Sequence, residues 1–132
     1  MAVIDASVVV DLLRTGDHTH AVEKRLAAEE HTLWAPHLID AEVGHALRRE
    51  VRSGQVDAEG AARALWEIDA LPIERVEHEP LVHVAWDLRD NLSFYDGLYV
   101  ALALMLDEPL LTLDARLART GLDLPIEVLG QA

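Results

Sequence analysis

Two hydrophobic rhythms alternate along the chain. Short, nearly unbroken apolar runs occur as AVIDA (2–6), TLWAP (32–36), PIERV (72–76), PLLTLD (109–114) and PIEVL (125–129). Each is too short for a stable helix, rich in Val, Ile or Leu, and bounded by Pro or an acid, so each predicts a buried strand. The segments between them carry helical spacing: 7–17 ending near Gly16, 18–30, 37–53 closed by Ser53 and Gly54, Asp57 to just before Pro72, 79–91, and 94–107. ARLART (115–120) predicts a helical turn or two. Strands separated by helices predict an α/β fold, with a mainly parallel sheet covered on both faces. In such sheets the functional crevice lies beyond the carboxyl ends of the strands. No repeat or linker interrupts the pattern, and 132 residues suit a single domain over 1–132 with a real core.

Composition narrows the function. The chain has no Cys, which excludes disulfides and thiolate metal sites and is compatible with a reducing cytosol. It opens MAVIDAS, with an early acid and no basic run, unlike a secretory signal. The run 97–106 is uncharged but far too short to span a bilayer. A cytoplasmic protein is expected. A formal charge of −13 argues against gripping nucleic acid through a uniformly basic surface, though not against a local basic rim around an acidic site. Arg48, Arg49, Arg52, Arg116 and Arg119 cluster; the guanidinium fork suits phosphate, but solvated helix faces are the simpler expectation.

Four carboxylates stand where acids are unusual. Asp96 opens the apolar segment 94–107, in a Ser93–Asp96 capping box. That segment is apolar on every side and should be buried, a poor place for an unpaired carboxylate. Glu42 borders the apolar stripe Ile39, Val43, Ala46, Leu47 of helix 37–53, whereas Asp40 and Glu50 are expected to face solvent. Asp5 and Asp114 follow apolar strands; each suits a helix cap, and parallel strands would bring both to one sheet edge. Together these acids suggest a site for Mg²⁺ or Mn²⁺, hard cations that take carboxylate oxygens and act on phosphoryl centres. Crowded acids repel and raise one another's pKa values, so stability should fall with rising pH and recover with metal.

The pieces VIDAS (3–7), LIDAEV (38–43), SFYDGLYVALA (93–103) and LLTLD (110–114) span nearly the whole chain. In them the sequence resembles PIN-domain ribonucleases, specifically the toxin of bacterial VapBC toxin–antitoxin modules. The resemblance implies an α/β/α sandwich with a short parallel sheet, usually a homodimer. It implies that Asp5, Glu42, Asp96 and Asp114 bind one or two Mg²⁺ or Mn²⁺ ions, with Ser7 and Thr112 holding a water or orienting an acid. It also implies hydrolysis of RNA (tRNA, rRNA or mRNA) and a cognate VapB-type antitoxin that blocks the acidic groove. Gly97 departs from the pattern, in which Ala is more usual.

Two other functions compete: a non-catalytic PIN-like interaction module, and a metal-dependent phosphohydrolase acting on a small phosphoester. The second would want a Lys beside an Asp nucleophile, and the only Lys is Lys24, expected on an outer helix. None of the seven His residues forms H-E-x-x-H, and His45 is expected at the surface rather than in the site. No Walker A, G-x-G-x-x-G or G-x-S-x-G sequence is present.

Overall fold

The computed structural model describes residues 1–28 and 32–130. Five strands, β1 (Ala2–Ile4), β2 (Leu33–Pro36), β3 (Ile73–Val76), β4 (Leu110–Thr112) and β5 (Ile126–Val128), form an all-parallel sheet in the order β3-β2-β1-β4-β5. The helices are α1 (Ala6–Arg14), α2 (Thr19–Ala27), α3 (Leu38–Arg52), α4 (Ala58–Glu67), α5 (Val82–Asp87) and α6 (Phe94–Leu106). The expected end of helix 18–30, residues 29 and 30, lies outside the described residues.

From β1 the chain winds outward through β2 to β3, then returns across the sheet to β4 and continues to β5. Right-handed crossovers therefore put α1–α4 on one face and α5–α6 on the other. The packing agrees: α1 meets α2, α3 and α4, while α6 meets α5 and crosses β1, β2 and β4. Val8, Val9, Ile39, Val43 and Leu47 fill one layer, and Leu98 to Ala103 fill the other. This explains the uninterrupted apolar middle of α6, but its ends differ from expectation. Phe94, Tyr95, Leu104 and Met105 are exposed. Among the described residues no helix is long and apolar enough to cross a membrane.

Several element boundaries shift. Segment 79–91 contains a 3-10 turn, Glu79–Leu81, with Pro80 inside, before the short α5. The helix opened by Asp57 tightens into a 3-10 turn at Ile68–Ala70, and ARLAR (Ala115–Arg119) is a 3-10 helix. Helix α1 stops at Thr15, which itself takes the left-handed conformation (φ 53°). Gly16 serves a close approach: a Cβ there would stand 2.3 Å from Asp11 Oδ1, which accepts from the His18 amide. Gly97 also has a structural reason, because a Cβ on it would lie 3.2 Å from the Ala85 Cα and carbonyl oxygen of α5.

Candidate active site

The winding reverses between β1 and β4, which are paired neighbours. Beyond their carboxyl ends opens the crevice that a topological switch point creates. Asp5 follows β1, Thr112 ends β4, and Asp114 stands two residues on. The start of α6 brings Asp96, and the second turn of α3 brings Glu42. Asp5, Ser7, Glu42, Asp96 and Asp114 line one open cavity of about 850 Å³, which also meets Arg14, His45, Arg49, Glu50 and Arg116.

Asp5 is the deepest of the acids, 8% exposed. It caps α1 by accepting from the Val8 amide at 3.3 Å. The Ser7 hydroxyl donates to its Oδ1 and the Thr112 hydroxyl to its Oδ2. Those hydroxyls in turn accept from the Leu113 amide (2.9 Å) and the Asp114 amide (3.0 Å). With both protons committed to Asp5, the 3.4 Å approach of Ser7 to Thr112 is a contact rather than a further bond. Thr112 is fully buried and does not line the cavity, so it acts through Asp5. Burial pushes the Asp5 carboxyl up to about 6, against the lowering effect of these hydrogen bonds.

Asp96 keeps its capping geometry: its amide donates to Ser93 Oγ at 3.1 Å. Burial raises its pKa, with a contribution from Asp114, against the lowering effects of Ser93 and Arg116. Glu42 is raised by burial and by Asp96, against the lowering effects of Tyr99 and His45. The Tyr99 hydroxyl is buried beside Glu42 and burial raises its pKa, yet it forms no hydrogen bond of good geometry. Asp114 is the exception. Arg116 forks onto it, Nε to Oδ1 at 3.0 Å and Nη2 to Oδ2 at 2.6 Å, and holds its pKa below the ordinary value.

The site is thus ion-paired on the Asp114 side, while Asp5, Asp96 and Glu42 stay raised on balance. The oxygen-only donor set fits a hard divalent cation in type and location. Among the described residues, however, no three His, Cys, Asp or Glu side chains already stand in metal-holding arrangement. Asp114 is turned to Arg116 and Asp5 is held between two hydroxyls, so side chains must rotate to close around an ion.

Two expectations need correction. Glu50 does not face solvent: its Oε1 pairs with Arg14 at 2.7 Å, its Oε2 is buried without a partner, and its side chain is 17% exposed. The α1–α3 packing brings it inward. His45, one turn after Glu42, stands on the cavity wall despite being exposed. Arg116 is exposed, as a solvated Arg should be, but is engaged with Asp114. Tyr99 escaped notice in the sequence, although its position three residues after Asp96 puts both on one helix face.

The chain matches the PIN domain family over residues 2–122. It is 50% identical over 130 residues to Ribonuclease VapC1 of Mycobacterium tuberculosis, covering 96% of this chain and 94% of that protein. The chain belongs to the VapC-type PIN domains. Among solved structures, this PIN domain is similar to the M. tuberculosis toxin VapC20, described as sarcin-ricin loop cleaving. The TM-score is 0.69 at 16% identity, covering 93% of this chain and 97% of that one. It is also similar to VapBC2 from Rickettsia felis, solved bound to a DNA fragment from their promoter. There the TM-score is 0.65 at 13% identity, over 97% and 98% of the two chains. At these identities the two structures speak for the VapC PIN fold alone.

Proposed function

We propose that this single-domain chain is a divalent-metal-dependent endoribonuclease, the toxin of a type II toxin–antitoxin pair. It works in the cytoplasm as a homodimer and is inhibited by a cognate VapB-type antitoxin. One observation carries this reading: acids from four separate elements, Asp5, Glu42, Asp96 and Asp114, converge on one cavity at the switch point. They do so in a chain half identical to a ribonuclease.

Asp5, Asp96 and Asp114, with Glu42, would hold Mg²⁺ or Mn²⁺. Such an ion supplies charge at the phosphoryl centre and a nucleophile from water at neutral pH. The chain's own residues do the rest. Ser7, Thr112 and the Val8 amide orient the Asp5 carboxylate. Glu42, whose pKa burial raises, is suited to positioning the attacking water and taking its proton. In-line attack on an RNA phosphodiester leaves a 5′-phosphate and a 3′-hydroxyl. An open groove suits a splayed single strand or loop in tRNA, rRNA or mRNA. Lys24 is exposed on α2, away from the cavity, which disfavours a small-phosphoester hydrolase using Lys beside an Asp nucleophile.

The test is cleavage of a mixed tRNA and mRNA pool in Mn²⁺ or Mg²⁺. Wild type should cut, and both chelation and Asp96→Asn should abolish cutting. Equal cutting by the two proteins would assign the activity elsewhere. No cutting, with no Mn²⁺ binding by calorimetry, would favour a protein-interaction module.

A further inference from the structure

Arg116 is a side chain that the proposed reaction leaves unused, and it has the most specific contact in the site. Its backbone amide donates to Asp114 Oδ1 at 3.0 Å, and its guanidinium contacts both carboxylate oxygens. Among the described residues Asp5, Glu42 and Asp96 have no ion pair, so this fork is peculiar to one of four acids. A guanidinium and a divalent cation compete for those oxygens: the fork and the Arg116 amide take lone pairs that a cation would use, and the two charges repel. The Arg116 side chain is 80% exposed, so little packing opposes its departure. Its tether, two residues from Asp114, keeps it at the cavity wall after it lets go. There a planar cation meets the face through which a polyanionic strand must enter.

We propose that Arg116 is a positioning residue that competes with the divalent cation for Asp114 and, once displaced, binds a phosphate of the RNA strand. The proposal rests on the metal-dependent reading above and adds a residue to it.

Two measurements on the full chain test it, neither requiring turnover. The first is calorimetric titration with Mn²⁺ alone. Arg116→Ala should bind Mn²⁺ roughly two- to fivefold more tightly than wild type, the range an exposed ion pair supports. Unchanged or weaker binding would overturn the competition. The second is binding of a labelled, randomised single-stranded RNA to the Mn²⁺-saturated protein across a salt series. Losing one phosphate contact should make the log–log salt slope shallower by about 0.7. Arg116→Lys keeps the charge and should retain the wild-type slope, while its simpler ammonium should still loosen the hold on Asp114. A slope identical in wild type and Arg116→Ala would overturn the phosphate role. Failure of wild type itself to bind Mn²⁺ would overturn the underlying metal reading and this proposal with it.

Discussion

Replacing Asp5 by Asn isolates the electrostatic tension at the most buried acid of the site. Asp5 is buried and its carboxyl is pushed from 3.8 to about 6. A carboxyl whose folded pKa exceeds its unfolded one binds protons more tightly when folded. Its contribution is therefore fully present below the unfolded value, near pH 4, and is lost as pH rises through about 6. At about 1.4 kcal/mol per pKa unit, the loss is on the order of 3 kcal/mol. An Asn does not titrate, so the variant lacks this decline. It carries instead a pH-independent cost of about 1 kcal/mol, because an amide cannot accept from both Ser7 and Thr112 while those hydroxyls serve the Leu113 and Asp114 amides. The assay is urea unfolding of both proteins at pH 4, 5, 6 and 7 in chelator. Taking the difference between the two cancels the general repulsion of a −13 chain. Asp5→Asn should be the less stable protein near pH 4 and the more stable near pH 7, with the difference moving by about 3 kcal/mol. Added Mg²⁺ should stabilise wild type selectively at the higher pH. Parallel stability profiles would refute the reasoning and put the Asp5 carboxyl back in its ordinary range.

Thr112→Val removes a buried donor to Asp5 and an acceptor for the Asp114 amide. It should cost about 1–3 kcal/mol at pH 7 in urea unfolding, with a smaller loss in acid where Asp5 is protonated; an equal loss at both pH values would separate Thr112 from the Asp5 charge. Tyr99→Phe deletes a buried hydroxyl that has no well-formed partner, so unfolding free energy should stay level or rise, by up to about 1–3 kcal/mol. A loss above about 1 kcal/mol would mean that the hydroxyl bonds to Glu42 after all. Gly97→Ala should shift stability by less than about 1 kcal/mol, since helix propensity offsets the tight approach to Ala85. Gly97→Leu should lose about 1–3 kcal/mol or more in thermal unfolding, and an unperturbed melt would show that this glycine does not set the α5–α6 spacing.

By itself the sequence determined the alternation of strands and helices, because short Val, Ile and Leu runs and 3.6-residue stripes are local consequences of which faces must be buried. It also singled out the four acids, since Asp5, Asp96 and Asp114 sit at element ends that lead into buried segments and Glu42 at the edge of an apolar stripe. Its boundaries failed where a local geometry gave way to a tighter one, as at Pro80. Only the tertiary structure decided what surrounds each acid. The switch between β1 and β4 brings residues 5 and 112 together across the sheet, turning Thr112 from a strand residue into the holder of Asp5. The packing of α1 on α3 draws Glu50 inward to Arg14, against its expected solvent position. Burial of residues distant in the chain raises Asp5, Glu42 and Asp96, while one neighbouring guanidinium lowers Asp114. Periodicity reports which face of an element turns inward, and the desolvation and charge at a given carboxylate depend on which other elements meet it there.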